Sequence, residues 1–456
     1  MKQKFCLHFI TLLPIISITT TLLFSSCTWT TLRPHIIAYS LLDLKAQGLP
    51  LESEEFDRKM EQITGWCRSP NNQLRLLKNG EEIFPTLLEL IEHAQKNIFI
   101  DQYAFHGDET GSTIASALKK RAAEGLDIRI VYDYVGSRKT SSFFWNDLVH
   151  HQIKVRPFNP LPWWTAIRGN NRDHRKIIII DGQIALIGDF GIGRQYEGDG
   201  HSNGSWRVSA VLIEGPAVAD LVKVFLEAWE EAGIGIINKD LPIPLLSIIW
   251  DIPFFFFTES DNGLATSLPF TFETGGSVRV MSSTPNWGST EILDALLFAL
   301  QSARKTIHIT QSYFIPNNRV RSALIAAAQR GVEVTIILPE HSDVRLAKSA
   351  SEIFYEELLE VGVRIFERQG TMIHTKTMVI DGIWSALGSS NIDDRSFLLN
   401  YECNISVYEK EFGMAMEEMF IQDIADCKEI TLENWRKRSW WKCFRIKLLT
   451  PFIKQL

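Results

Sequence analysis

The sequence predicts an α/β protein made of two duplicated halves, each a mixed, largely parallel sheet flanked by helices, packed about a pseudo-twofold axis. Three observations predict it. Ala94-Gln-Lys-Asn-Ile98-Phe-Ile100-Asp-Gln102 recurs as Ala303-Arg-Lys-Thr-Ile307-His-Ile309-Thr-Gln311, an offset of 209 residues. Ser116-Ala-Leu118 through Gly125 recurs as Ser322-Ala-Leu324 through Gly331, an offset of 206. Each half then closes on the same spaced set of His, Lys and Asp. Matches in fixed order at nearly constant offset are the mark of internal duplication.

Composition sets the outer limits. A chain of 456 residues that is 45% apolar and 22% charged has enough core for two or three domains, which excludes disorder and miniprotein folds. Lys plus Arg total 47 against 54 Asp plus Glu, a net charge of -7. There is no sequence-wide basic excess to hold a nucleic-acid backbone, and no nucleic-acid partner is expected. Cys6, Cys27, Cys67, Cys403, Cys427 and Cys443 form no C-x-x-C pair and no metal-ligand spacing. Neither a disulfide framework nor a metal site is expected.

Residues 1–27 read as a targeting segment. Lys2 and Lys4 precede an apolar run from Phe5 to Phe24, the pattern of an export signal or an uncleaved anchor. Ser25-Ser26-Cys27 follows, making Cys27 a lipidation candidate. With the cations ahead of the apolar run, an inserted helix leaves the body outside the cytoplasm. Residues 28–72 connect this segment to the first half, 73–240. There, an amphipathic helix ends at Gly125 and runs into the alternating strand Ile128-Arg-Ile-Val131. The second half, 273–430, repeats this with Gly331 and Val334-Thr-Ile-Ile337. Strand, helix, strand in each half implies right-handed crossovers.

Between the halves, 241–272 is a linker rich in Pro and Phe. Its prolines argue against a spanning helix, leaving a buried strap or a lipid-facing loop. The tail, 431–456, interleaves cations with aromatics from Trp435 to Leu449, as an interfacial membrane helix does.

The chemistry lies in Asp173-His174-Arg175-Lys176-Ile-Ile-Ile-Ile180-Asp181-Gly182 and Ile373-His374-Thr375-Lys376-Thr-Met-Val-Ile380-Asp381-Gly382. His and Lys two apart on a strand share a face, so an imidazole and an ammonium look into one cleft. The apolar residues that follow bury as a core strand, and Asp-Gly turns the chain back as a hairpin. Asp181 and Asp381 are either turn formers or catalytic supports.

These paired motifs resemble the phospholipase D superfamily, and within it the bacterial cardiolipin synthases, from about residue 73 to the carboxyl end. The resemblance extends to Tyr132-Asp133-Tyr-Val-Gly136-Ser137, Glu214-Gly215-Pro216, Ser312-Tyr313-Phe314-Ile315-Pro316 and Gly388-Ser389-Ser390-Asn391. It implies two phospholipase D-like halves sharing one site, no metal or other cofactor, and a phosphohistidine intermediate. His174 and His374 would serve as nucleophile and general acid, and Lys176 and Lys376 would hold the non-bridging oxygens. Asp181 and Asp381 would complete each motif, Ser389 and Asn391 would donate to the phosphate, and Glu402 would orient a catalytic histidine.

The first half departs from the family pattern. Asp189-Phe190-Gly191 follows Gly188, and Val208 stands where the counterpart of Glu402 is expected. On this reading Glu402 raises the pKa of His374, which becomes the leaving-group acid, while His174 attacks.

The implied function is a phosphatidyltransferase joining two phosphatidylglycerols at a membrane surface in the bacterial cell envelope. The alternatives are hydrolysis to phosphatidic acid, a nuclease of the same superfamily, and a non-catalytic lipid-binding relic. The sequence leaves the acceptor alcohol and the oligomeric state open.

Overall fold

The computed structural model describes residues 48–160, 170–202, 204–237, 271–285 and 290–438. The targeting segment with Cys27, all but the last two residues of the 241–272 linker, and the tail beyond 438 lie outside the described residues. The described residues form one compact unit.

The unit opens with helix α1 (Glu54–Thr64). Ser53 caps it by accepting the Phe56 N–H at 3.1 Å, and Gly65 ends it at φ +72°. The first half then runs β1 (Ser69–Lys78), α2 (Asn79–His93), β2 (Asn97–Gln102), α3 (Glu109–Ala123), β3 (Asp127–Asp133), α4 (Ser142–His150) and β4 (Lys154–Phe158). It closes with β5 (Lys176–Ile180), β6 (Ile184–Gly188), β7 (Ser209–Glu214) and α5 (Ala217–Ile237).

The second half repeats this as β8 (Thr274–Ser283), α6 (Glu291–Ser302), β9 (Thr306–Thr310), β10 (Phe314–Ile315), α7 (Asn318–Gln329) and β11 (Glu333–Pro339). After α8 (Arg345–Ser351) and α9 (Tyr355–Glu360) come β12 (Arg364–Arg368), β13 (Thr377–Ile380), β14 (Trp384–Gly388) and β15 (Ile392–Asp393). It ends with α10 (Asp394–Leu398), β16 (Glu402–Tyr408), α11 (Lys410–Ala425), β17 (Cys427–Ile430) and α12 (Leu432–Arg436).

Fifteen strands make one continuous sheet, in the order β17-β12-β11-β9-β13-β14-β16-β8-β1-β7-β6-β5-β2-β3-β4. Apart from the added β17, the order is palindromic about the antiparallel β1–β8 pair, so the duplication is also a pseudo-twofold arrangement of strands. The α/β fold and its repeat are as the sequence predicts. The expected parallel majority is not present. Only β2–β3, β3–β4, β9–β11 and β11–β12 pair in parallel within this sheet. In each half one of those two pairs is joined through an amphipathic helix ending at a glycine (Gly125 at φ +95°, Gly331 at φ +87°). β5–β6 and β13–β14 are joined by a three-residue turn, which permits only antiparallel pairing.

The core justifies the patterning. β5 reads Lys-Ile-Ile-Ile-Ile and is buried throughout, because helices cover both faces of the sheet. Val218, Leu221, Phe225 and Trp229 of α5 pack on Leu74, Ile177, Ile179 and Ile213. Phe99 and Phe225 stack at 4.8 Å. Each such side chain contributes about 1.5–3 kcal/mol on burial. That core sets the height of the first motif, since β5 pairs Lys176 with Gln102 at the carboxyl end of β2.

Candidate active site

Both motifs lead into inner strands of the sheet, β5 and β13, and are held by the opposite half. The His174 N–H donates to the Tyr401 carbonyl at 2.9 Å, and the His374 N–H donates to the Arg207 carbonyl at 2.8 Å. Asp173 bridges Tyr401, and Arg207 bridges Ile373. Thus the strand entering β16 carries the first histidine, and the strand entering β7 carries the second. Asp133 steadies the approach to His174 by accepting the Asp173 N–H at 3.0 Å.

The imidazoles are fixed through Nδ1. His174 Nδ1 lies 3.0 Å from both carboxylate oxygens of Glu402. Glu402 is fully buried, yet it is held down at about 2, chiefly by His174 and with help from Lys176 and the Ser389 hydroxyl. An anionic Glu402 takes the Nδ1–H of a neutral His174 and leaves the Nε2 lone pair open. Burial lowers His174 to about 4, against the raising effect of Glu402. His374 Nδ1 instead meets the Asp189 carbonyl oxygen at 2.7 Å. Burial, Lys376 and Lys176 push His374 well below the usual imidazole range.

This geometry corrects the expectation for Glu402, which partners His174 and not His374. Sequence adjacency misleads here because Glu402 follows Tyr401, which bridges the other half's motif at Asp173. The Ser389 expectation also changes. Its hydroxyl donates to Glu402 and accepts the Cys403 N–H at 2.9 Å, so it braces the carboxylate and does not turn toward a phosphate. Asn391 accepts the Ser312 hydroxyl at 2.8 Å on Oδ1, leaving its amide N–H₂ as the donor end.

The lysines are buried beside the rings. Lys176 donates to the His174 carbonyl, and Lys376 donates to the His374 carbonyl at 2.8 Å with its Nζ 3.3 Å from His374 Nδ1. Burial lowers Lys176 to about 7 and Lys376 to about 8; the other lysine is the next cause for Lys176. The two lysines lie close enough for Lys376 to lower Lys176, which makes the pair a candidate for holding an anion.

Asp181 and Asp381 lie outside it. Each follows the far end of its strand, at φ +56° and +55°, inside a turn closed by the Gln183 or Ile383 N–H. The Asp181 carboxylate accepts the N–H groups of Gln95, Lys96 and Asn97, and Asp381 accepts those of Arg304, Lys305 and Thr306. They clamp the turn onto the start of β2 or β9. Their place in the catalytic set is corrected to a structural one, because an extended strand separates them from the Lys.

Three aromatic neighbours were not singled out in the sequence. Tyr103 stands edge-on to His174 at 4.8 Å, while Trp206 stacks on His374 at 5.3 Å and Tyr196 meets it edge-on at 5.6 Å. Gly191, opposite Asn391 in the repeat, is explained by Tyr196: a Cβ there would come within 2.6 Å of the Tyr196 ring. A small cavity of about 40 Å³ reaches Lys376 and Asn391, but Met281, Ile292, Trp384 and Phe397 make most of its wall. It is a packing void of the second half that touches the site.

The family described as cardiolipin synthase, PLD-like domain, matches residues 87–225 and 296–424, one span in each half. The chain belongs to this family. A cardiolipin synthase of Listeria monocytogenes is 34% identical over 396 residues, 85% of this chain and 77% of the relative. Cardiolipin synthase A of Pseudomonas putida is 32% identical over 367 residues, 80% of this chain and 71% of that one. A phosphatidylserine synthase of Haemophilus influenzae shares the fold, with a TM-score of 0.62 and 16% identity, covering 88% of this chain and all of that one. The chain is an enzyme, a phosphatidyltransferase of the cardiolipin synthase type.

Proposed function

We propose that this cardiolipin synthase-type enzyme joins two phosphatidylglycerols, releasing glycerol, by way of a phosphohistidine on His174. The crossed clamp carries the reading: one imidazole is backed by a carboxylate and the other is not. His174 Nε2 attacks phosphorus, and the bond to the terminal glycerol breaks. The phosphorylated imidazole, still bearing its Nδ1–H, is a cation that Glu402 stabilises at 3.0 Å. His374 gives its proton to the leaving glyceryl oxygen. It then takes one from the hydroxyl of a second phosphatidylglycerol, whose oxygen attacks phosphorus as the P–N bond breaks.

His374 must carry a proton for the first step. Two of the causes holding it down are Lys376 and Lys176, whose charge a bound phosphodiester offsets. Substrate binding therefore raises the acid that the reaction uses. His174 as nucleophile matches the sequence expectation, with the reason replaced: Glu402 stabilises the intermediate on His174 and does not hold His374 protonated.

The substrate reading assigns the enzyme to a membrane surface of the bacterial envelope, body outward, through the apolar run at residues 5–24 and the tail beyond 438. Residues 431–438, expected as part of that tail, instead pack on the body with Trp435 against Tyr355. No helix among the described residues is long and apolar enough to cross a membrane.

Incubation with phosphatidylglycerol vesicles, followed by lipid separation, tests the function. Cardiolipin with stoichiometric glycerol is expected. Phosphatidic acid as the sole product would make water the acceptor and sink the transferase reading.

A further inference from the structure

The two halves supply their buried carboxylates from different strands. Tyr401 and Arg207 hold the two histidine N–H groups, so they are equivalent, and the residues that follow them, Glu402 and Val208, are equivalent too. The Ser389 N–H donates to the Cys403 carbonyl and the Asp189 N–H to the Ser209 carbonyl, both at 3.1 Å. Ser389 and Asp189 are therefore equivalent. The second half has Glu at the first position and Ser at the second; the first half has Val and Asp. A carboxylate present in one copy has moved to the neighbouring strand in the other.

We propose that Asp189 is the displaced counterpart of Glu402, a positioning residue that balances the Lys376 ammonium with its carboxylate while its carbonyl ties His374. Its carboxylate accepts the Ser209 backbone N–H at 2.9 Å, the Ser209 hydroxyl at 2.6 Å and the Lys376 backbone N–H at 3.2 Å. It is fully buried, and Ser209 holds it from β7 as Cys403 engages Ser389 from β16. Asp189 is the largest influence holding Lys376 up against burial, followed by Glu402, Asp343 and Asp393. Lys176 and His374 face the same ammonium, and Arg207 faces Asp189.

The displacement has a chemical result. Glu402 engages the imidazole that is to become cationic, whereas Asp189 leaves His374 Nδ1 on a neutral carbonyl and serves the lysine. One half is built for the covalent intermediate and the other for proton transfer and charge neutralisation. Fixed directionality follows from the relocation.

This inference rests on the shared site of the proposed reaction but not on the acceptor. The test is the pH profile of kcat/KM for phosphatidylglycerol in Asp189→Asn and Asp189→Ser, the second copying what the other half carries. Loss of the anion lets Lys376 shed its proton at lower pH. Turnover should stay within a few fold of wild type at pH 6 and fall about fivefold below it at pH 8, with the alkaline limb moved about one unit acidward. An unshifted limb in whichever variant folds, with turnover either full or uniformly reduced, overturns the proposal. A wild-type enzyme that yields phosphatidic acid instead would overturn the acceptor and leave this test standing.

Discussion

His174 and His374 are drawn from opposite halves and positioned by opposite halves, and the proposed reaction uses them as one catalytic unit. His174→Ala and His374→Ala are each expected to lower turnover on the order of 10³-fold or more, because neither half completes the reaction alone. Activity within a few fold of wild type in either variant would dissolve the one-site reading. The lysines set the alkaline side of the profile. With Lys176 at about 7 and Lys376 at about 8 in the empty site, both lose charge as pH rises through that window. Free-enzyme kcat/KM should therefore decline from about pH 7, as Lys176 loses its charge first. His174 stays neutral down to about 4, so no acid limb from it is expected near pH 6. Glu402→Gln removes an anion that raises both lysines, so its alkaline limb should move acidward; a limb moving to higher pH would reverse the assigned sign.

At the scale of elements, the hairpins after β5 and β13 separate structure from chemistry within one motif. Asp181 adopts φ +56°, which Asp tolerates better than most side chains, and it caps three backbone N–H groups at the start of β2. Asp181→Ala loses both the acceptor and the conformational tolerance. A loss of about 1–3 kcal/mol in unfolding free energy is expected, with kcat per folded molecule within a few fold of wild type. Denaturant titration alongside active-site counting separates the two. A turnover loss matching the histidine variants, at unchanged stability, would return Asp181 to the catalytic set.

For the whole molecule, the halves are bound by charge as well as by the continuous sheet. Asp423 on α11 accepts Arg207 Nε at 2.8 Å and Arg368 Nη1 at 3.2 Å, all three side chains being buried. Asp423→Ala would leave the buried Arg207 guanidinium without a carboxylate, while Arg368 keeps Asp426 at 3.2 Å, and should cost about 3–5 kcal/mol. It should also reduce activity, because the Arg207 carbonyl is the anchor of the His374 N–H. Differential scanning calorimetry with a full-length chain checks the first effect, and a variant as stable as wild type would contradict it. Charge neutralisation by two lysines also predicts that turnover survives EDTA. Loss on chelation, restored by one divalent ion, would require a different mechanism.

The sequence alone determined the duplication, the four His and Lys positions, and the strand–turn–strand form of each motif. These are local: they depend on apolar alternation, on His and Lys two residues apart, and on Asp-Gly turns that each chain segment specifies for itself. Only the tertiary structure decided the pairing across halves. Glu402 lies 228 residues from His174 and 28 from His374, yet it is hydrogen-bonded to the distant one. Asp189 likewise serves a motif 185 residues away. The predominance of antiparallel pairs belongs to the same class, since neighbours in a sheet are chosen by connection length and packing. Residue type fixes what a side chain is able to do, but which partner it meets is settled by Arg207 and Tyr401, which precede β7 and β16 and bridge the other half's motif.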